Sequence, residues 1–173
     1  SSLGGQALTA LRQVSKPFVE FHDNPDPFNW IKALKRFDLK KTHFIAISKS
    51  GGTAETLMQV LTAADALEKK GVKHLNKHFT IVTEPHQSAL ADFADSIGAA
   101  RLDHPLGVGG RYSVLTMVGA LPGLVMGLNF KQLRAGAQAA LDQVLNAATP
   151  ADAPAACGAA LHYALRQQHK HAT

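Results

Sequence analysis

Apolar residues in this chain switch between short solid runs and a spacing of three or four, the pattern of strands alternating with helices. The run His43-Phe44-Ile45-Ala46-Ile47 suits a strand covered on both faces. Leu57, Val60, Leu61, Ala64 and Leu67 then recur on one helical face, until Glu68, Lys69 and Lys70 lead to a terminating Gly71. Phe79-Thr80-Ile81-Val82 reads as a further strand, ended by Thr83-Glu84-Pro85 and followed by a helix from about His86 to Ser96. A short strand is expected over Ala99 to Leu102. Upstream, the pattern predicts a helix from about Gln6 to Val14 and a short strand over Phe18 to Phe21. Asp26 as N-cap and Pro27 at the first position then open a helix whose inward face carries Phe28, Ile31 and Leu34.

Beyond Arg111 the chain is apolar nearly all round, through Val114, Leu115, Met117, Val118, Leu121, Leu124, Val125 and Leu128. A membrane span needs about 20 largely apolar residues. This run is shorter and holds Gly119, Pro122 and Gly123, so it reads as a buried helix kinked near Pro122, or as an inter-subunit surface. Two amphipathic helices follow. Phe130, Leu133, Ala137, Leu141, Val144 and Leu145 define the first, and the second begins at Pro150 or Pro154, past an Ala/Pro-rich joint. Strands each followed by a helix require parallel pairing with crossovers. The expected fold class is therefore α/β, a three-layer parallel sheet with helices on both faces and ligands at the carboxyl ends of the strands, followed by C-terminal helices.

The segment Ser48-Lys49-Ser50-Gly51-Gly52-Thr53-Ala54-Glu55-Thr56 falls at such a carboxyl end, between a strand and a helix start. The first N–H groups of a helix lack intrahelical partners and lie at the positive end of its dipole, so phosphate oxygens can satisfy them. Gly51 and Gly52 allow close backbone approach, Ser48, Ser50 and Thr53 supply hydroxyls, and Lys49 adds a cation. The order of residues is neither that of a P-loop nor that of a Rossmann fingerprint. The plain alternative is a capped Ser/Gly-rich turn with no ligand. Glu55 is open in the same way, since a carboxylate in a first helical turn is favourable to the dipole by itself.

This nonapeptide resembles the sugar-phosphate loop of the sugar isomerase (SIS) domain superfamily. Within it, Gly107-Val108-Gly109-Gly110-Arg111-Tyr112-Ser113 resembles the signature of the glucose-6-phosphate isomerase family, and Ser1-Ser2-Leu3-Gly4-Gly5 resembles the tail of that family's Gly-Ile-Gly-Gly-Ser-x-Leu-Gly loop. The resemblance implies a flavodoxin-like or Rossmann-like topology for residues 1–173 as a single SIS domain, a segment of a longer two-domain enzyme truncated at both ends. It implies sugar-phosphate binding through Ser1, Ser48, Lys49, Ser50, Thr53 and Gly110, with Arg111 as the catalytic residue. A permanently charged guanidinium suits an enediolate oxygen because it stabilises developing negative charge without giving up a proton. Alternatively, Arg111 caps a carbonyl or pairs with a carboxylate such as Glu55.

The resemblance further implies interconversion of glucose 6-phosphate and fructose 6-phosphate, the step of glycolysis and gluconeogenesis, in a homodimeric parent. Its catalytic base, a Glu in the second domain, and its ring-opening groups are expected outside these residues, so the segment alone is expected to lack turnover. Two other readings remain at this point. One is a non-catalytic sugar-phosphate-sensing module, which is not expected to carry Gly109-Gly110-Arg111-Tyr112-Ser113. The other is an isomerase of a different sugar phosphate.

Composition narrows the classes. A chain of 173 residues with 46% hydrophobic and 18% charged residues is ordinary for a soluble globular domain. The formal charge of +5 comes from Lys and Arg scattered through the helices, which argues against nucleic acid and agrees with an anionic substrate. The lone Cys157 makes no internal disulfide, consistent with a cytoplasmic setting, and its spacing with Leu161, Ala164 and Leu165 predicts a core position. The nine histidines form no clear zinc spacing. No cofactor, metal or membrane partner is expected.

Overall fold

The computed structural model describes residues 3–10, 17–168 and 170. It forms two compact units, residues 1–128 and 129–173. The first contains α1 (Leu3–Thr9), α2 (Pro27–Arg36), β1 (Phe44–Ile47), α3 (Ala54–Lys69), β2 (Phe79–Thr83), α4 (Ala89–Ile97), β3 (Ala100–Asp103) and α5 (Met117–Val125). The second contains α6 (Phe130–Leu145) and α7 (Pro154–Gln167).

The three strands form one parallel sheet in the order β1-β2-β3, flanked by helices, as the alternation of patterns requires. Phe44 lies opposite Phe79 and Ile47 opposite Val82, while Thr80 pairs with Ala100 and Thr83 with Asp103. This register brings Ile47, Val82 and Thr83 to one end of the sheet, where the loops begin. Ala46, Phe79 and Ile81 join Val60, Ala63, Ala64 and Leu67 of α3 and Leu90 and Ala94 of α4 in the main core. Only Ala46 of β1 is buried, so that strand is less covered than the solid apolar run predicts.

Several expectations are corrected by competing local interactions. On α2 the inward stripe is Trp30, Ala33 and Leu34, continued by Phe37 just past the helix end, while Phe28 and Ile31 are exposed. The bulk of Trp30 sets this phase, and its indole donates to Thr62 Oγ1 on α3 at 2.8 Å. Leu61 of α3 likewise points outward, and Ala63 takes the inward place. Phe18 to Phe21 add no strand to the sheet. In this stretch Glu20 instead accepts a hydrogen bond from Arg36 at 2.6 Å. The first helix ends at Thr9, and the rest of its expected span falls partly outside the described residues.

α4 starts at Ala89 rather than His86 because Ser88 caps it, accepting from the Ala91 N–H at 3.3 Å, and Gly98 at φ +67° ends it. The apolar run beyond Arg111 is not one helix. Ser113 donates to the Gly110 carbonyl at 2.6 Å and Thr116 to the Ser113 carbonyl at 2.7 Å, which holds Gly110–Leu115 in a tight 3-10 turn before α5 begins. Leu115, Leu124 and Val125 are exposed.

In the second unit both prolines are used: Pro150 opens a short 3-10 turn and Pro154 stands at the start of α7. Neither α6 nor α7 buries a residue fully, so the apolar faces of Leu141, Leu145 and Leu161 are exposed. Cys157 is exposed as well, its thiol 3.2 Å from the Ala151 carbonyl oxygen, and it is not the core residue its spacing predicts. No helix among the described residues is long and apolar enough to cross a membrane.

Candidate functional site

The loop from Ser48 to Thr53 leaves the carboxyl end of β1 and turns directly into α3. Its first step is fixed by the sheet, since Ser48 donates its N–H to the Val82 carbonyl at 3.0 Å and is almost fully buried. Gly51 then donates to the Ser48 carbonyl at 3.2 Å and adopts φ +64°, closing a tight turn. Only glycine suits that position for two reasons: the left-handed backbone, and a space in which an added Cβ would come within 2.0 Å of Ser88 Oγ and 2.8 Å of Thr83 Oγ1. Gly52 has open space around it.

The turn brings Ser48 Oγ to 2.9 Å from Thr53 Oγ1. Thr53 is the N-cap of α3, yet its hydroxyl makes no cap to the helix. The first-turn N–H groups of α3 therefore stand beside a paired set of hydroxyls instead of being consumed by one of them. Ser50 lies at the exposed rim and its Oγ accepts from the Gly52 N–H at 3.3 Å. Glu55 is exposed in the first turn of α3 and has no ion-pair partner among the described residues.

Lys49 does not hang free. Its Nζ lies 3.7 Å from Glu84 Oε1, just past the end of the neighbouring strand β2, and an anion entering the loop would share this cation with Glu84. Glu84, His86 and the N-terminus of α4 form the second wall. The Lys49 carbonyl accepts from the Glu84 N–H at 3.0 Å and from Thr83 Oγ1 at 3.3 Å, while the Gly51 carbonyl accepts from the Leu90 N–H at 2.9 Å. His86 Nε2 lies 3.2 Å from the Ser50 carbonyl oxygen. The sequence reading missed this wall. The available signal was that Glu84-Pro85-His86 follows a strand of the same sheet, at the end where ligands collect.

At β3, His104 donates its N–H to the Thr83 carbonyl at 2.8 Å and is buried, with Nδ1 3.0 Å from the Pro105 carbonyl oxygen. Gly107 to Arg111 follow. Arg111 is exposed in the 3-10 turn, its guanidinium carbon 5.7 Å from the ring centre of Tyr112. Among the described residues it pairs with no carboxylate, so the pairing with Glu55 is not found. Gly110 supplies the carbonyl that Ser113 holds.

The 3-10 turn is in turn braced by α1. A Cβ on Gly4 would lie 3.1 Å from Val114 Cα, and one on Gly119 of α5 would lie 2.1 Å from the Val114 carbonyl oxygen. Gly4 is thus the close-packing point at which the N-terminal motif meets the Arg111 turn. Ser1 lies outside the described residues. Ser48, Lys49, Ser50 and Thr53 share one loop, while Gly110 and Arg111 ride on the segment after β3. The two segments leave the same end of one sheet from strands separated by β2, which puts the strand ends on the order of 10 Å apart. Among the described residues no group of three or more His, Cys, Asp or Glu is arranged to hold a metal.

The family model described as PGI, Phosphoglucose isomerase, matches residues 1–170. A glucose-6-phosphate isomerase of Carboxydothermus hydrogenoformans is 38% identical over 160 residues, covering 92% of this chain and 34% of that protein. A probable glucose-6-phosphate isomerase of Haloarcula marismortui is 34% identical over 168 residues, covering 96% of this chain and 37% of that protein. Among solved structures, a hypothetical protein from Thermus thermophilus matches with a TM-score of 0.86 at 30% identity, over 95% of this chain and 39% of that one. The chain spans about a third of the length of the curated relatives it matches.

Proposed function

The chain belongs to the phosphoglucose isomerase family, and from that premise we propose that it binds the phosphate of a hexose 6-phosphate and stabilises the enediolate through which glucose 6-phosphate and fructose 6-phosphate interconvert. The observation that carries the proposal is the turn at Gly51, which sets Ser48 Oγ and Thr53 Oγ1 2.9 Å apart beside the uncapped start of α3. A phosphate there would take hydroxyl and backbone donors and draw on the Lys49 charge.

Isomerisation requires ring opening, removal of the C2 proton, an enediolate and reprotonation at C1. Arg111 suits the third step. Its guanidinium is exposed and, among the described residues, unpaired with acid, so it is available to a developing oxyanion. A carboxylate is needed for the proton shuttle. We assign this segment anchoring and enediolate stabilisation; the family resemblance implies that the base, a Glu, belongs to a second domain of a longer parent. On the same reading the parent is a cytoplasmic homodimer of glycolysis and gluconeogenesis, with no nucleic-acid partner.

A coupled assay on fructose 6-phosphate with the full-length protein tests the division of roles. Ser48→Ala is expected to raise KM with a smaller change in kcat, and Arg111→Lys to lower kcat with a smaller change in KM. Equal effects of both variants on both constants would overturn it.

A further inference from the structure

We propose that His86 is a positioning residue of the phosphate loop, fixing the orientation of the Ser50–Gly51 peptide from outside the binding face. This rests on the reading of residues 48–53 as a phosphate cradle. A carbonyl oxygen only accepts, so the 3.2 Å contact between His86 Nε2 and the Ser50 carbonyl places a proton on Nε2. Glu84 Oε2 lies 3.7 Å from Nδ1 of the same ring, on its other side.

In a trans peptide the C=O and the following N–H point in opposite directions, so holding one sets the other. Three successive carbonyls of the loop are held from one side. Lys49 O accepts from Glu84 N–H and Thr83 Oγ1, Ser50 O from His86 Nε2–H, and Gly51 O from Leu90 N–H. The N–H groups of Ser50, Gly51 and Gly52 are thereby turned away from the β2–α4 wall. That of Gly51 closes the turn onto Ser48 O, and that of Gly52 meets, among the described residues, the exposed Ser50 hydroxyl at 3.3 Å. The outer two holds are made largely by backbone donors. The middle carbonyl is held by a side chain, His86, which adds to the Gly51 N–H bond on Ser48 O at the other end of the same peptide.

Because His86 is half exposed and lies outside the core, its removal leaves the fold intact and loosens the middle peptide. The test is calorimetric titration of the full-length protein with 6-phosphogluconate, accompanied by thermal unfolding. His86→Ala is expected to raise Kd about fivefold, the equivalent of one hydrogen bond, with little change in Tm. His86→Gln, whose amide N–H reaches to a similar distance as Nε2, is expected to restore Kd to within about twofold of the parent value. Ser48→Ala and Thr53→Ala serve as the separate arm. If both weaken binding while His86→Ala leaves Kd unchanged, or if His86→Gln binds as weakly as His86→Ala, the positioning role is overturned and the cradle stands. If neither hydroxyl variant weakens binding, the cradle itself is wrong.

Discussion

Replacing Gly51 by alanine is the sharpest perturbation of the loop, because two independent penalties coincide there. The backbone sits at φ +64°, and a left-handed conformation costs an L side chain about 1–2 kcal/mol. The new Cβ would also stand 2.0 Å from Ser88 Oγ and 2.7 Å from Ser88 Cβ, so Ser88 must turn away. Ser88 is the N-cap of α4, and losing such a cap costs about 1 kcal/mol. Thr83 Oγ1, at 2.8 Å from the added carbon, is wholly buried, and forcing a methyl into a packed site typically adds about 1–3 kcal/mol. The sum is about 3–6 kcal/mol, a large share of the roughly 5–15 kcal/mol that stabilises a typical domain. Urea unfolding of Gly51→Ala beside Gly52→Ala measures it, since Gly52 has nothing within 4 Å of its added carbon and is expected to lose about 0.5 kcal/mol or less. A loss below about 1 kcal/mol at Gly51 would refute the reasoning and mean that the loop relaxes without using the Ser88 contact.

In the full-length protein, Arg111→Lys keeps the charge but loses the planar fork, and kcat in the coupled assay is expected to fall about a hundredfold; an unchanged kcat would make Arg111 a binding or structural residue. Gly119→Ala places a carbon 2.1 Å from the Val114 carbonyl oxygen and is expected to lower stability by about 2 kcal/mol or more in urea unfolding. Thr62→Val removes the acceptor of the Trp30 indole and is expected to cost about 1 kcal/mol, read from the same transitions. Cys157→Ser, at an exposed site, is expected to change stability by no more than about 0.5 kcal/mol.

The parts of this molecule that were legible in the sequence are those governed by local rules. The strands at Phe44–Ile47 and Phe79–Thr83 lie within a residue of the apolar runs, and α2 starts where Asp26 and Pro27 predict. The loop at Ser48–Thr53 was legible because strand, hydroxyls, glycines and helix follow one another without a break. What was not legible depends on partners distant in sequence. The phase of α2 is set by the reach of Trp30 to Thr62, and the late start of α4 follows from Thr83, Glu84 and His86 being spent on the carbonyls of the neighbouring loop. The 3-10 turn at Arg111 arises from Ser113 and Thr116 capturing carbonyls, a competition that apolar periodicity does not register. Cys157 shows the converse limit, since its helical spacing was right and its burial was not.

The central claim, that residues 48–53 and the first turn of α3 hold a sugar phosphate, is tested most directly by amide chemical shifts followed through a titration with 6-phosphogluconate. The account predicts the largest saturable shifts at Ser50, Gly52, Ala54 and Glu55, which Ser48→Ala weakens. Saturable binding that leaves these amides unmoved while shifting residues elsewhere would contradict it.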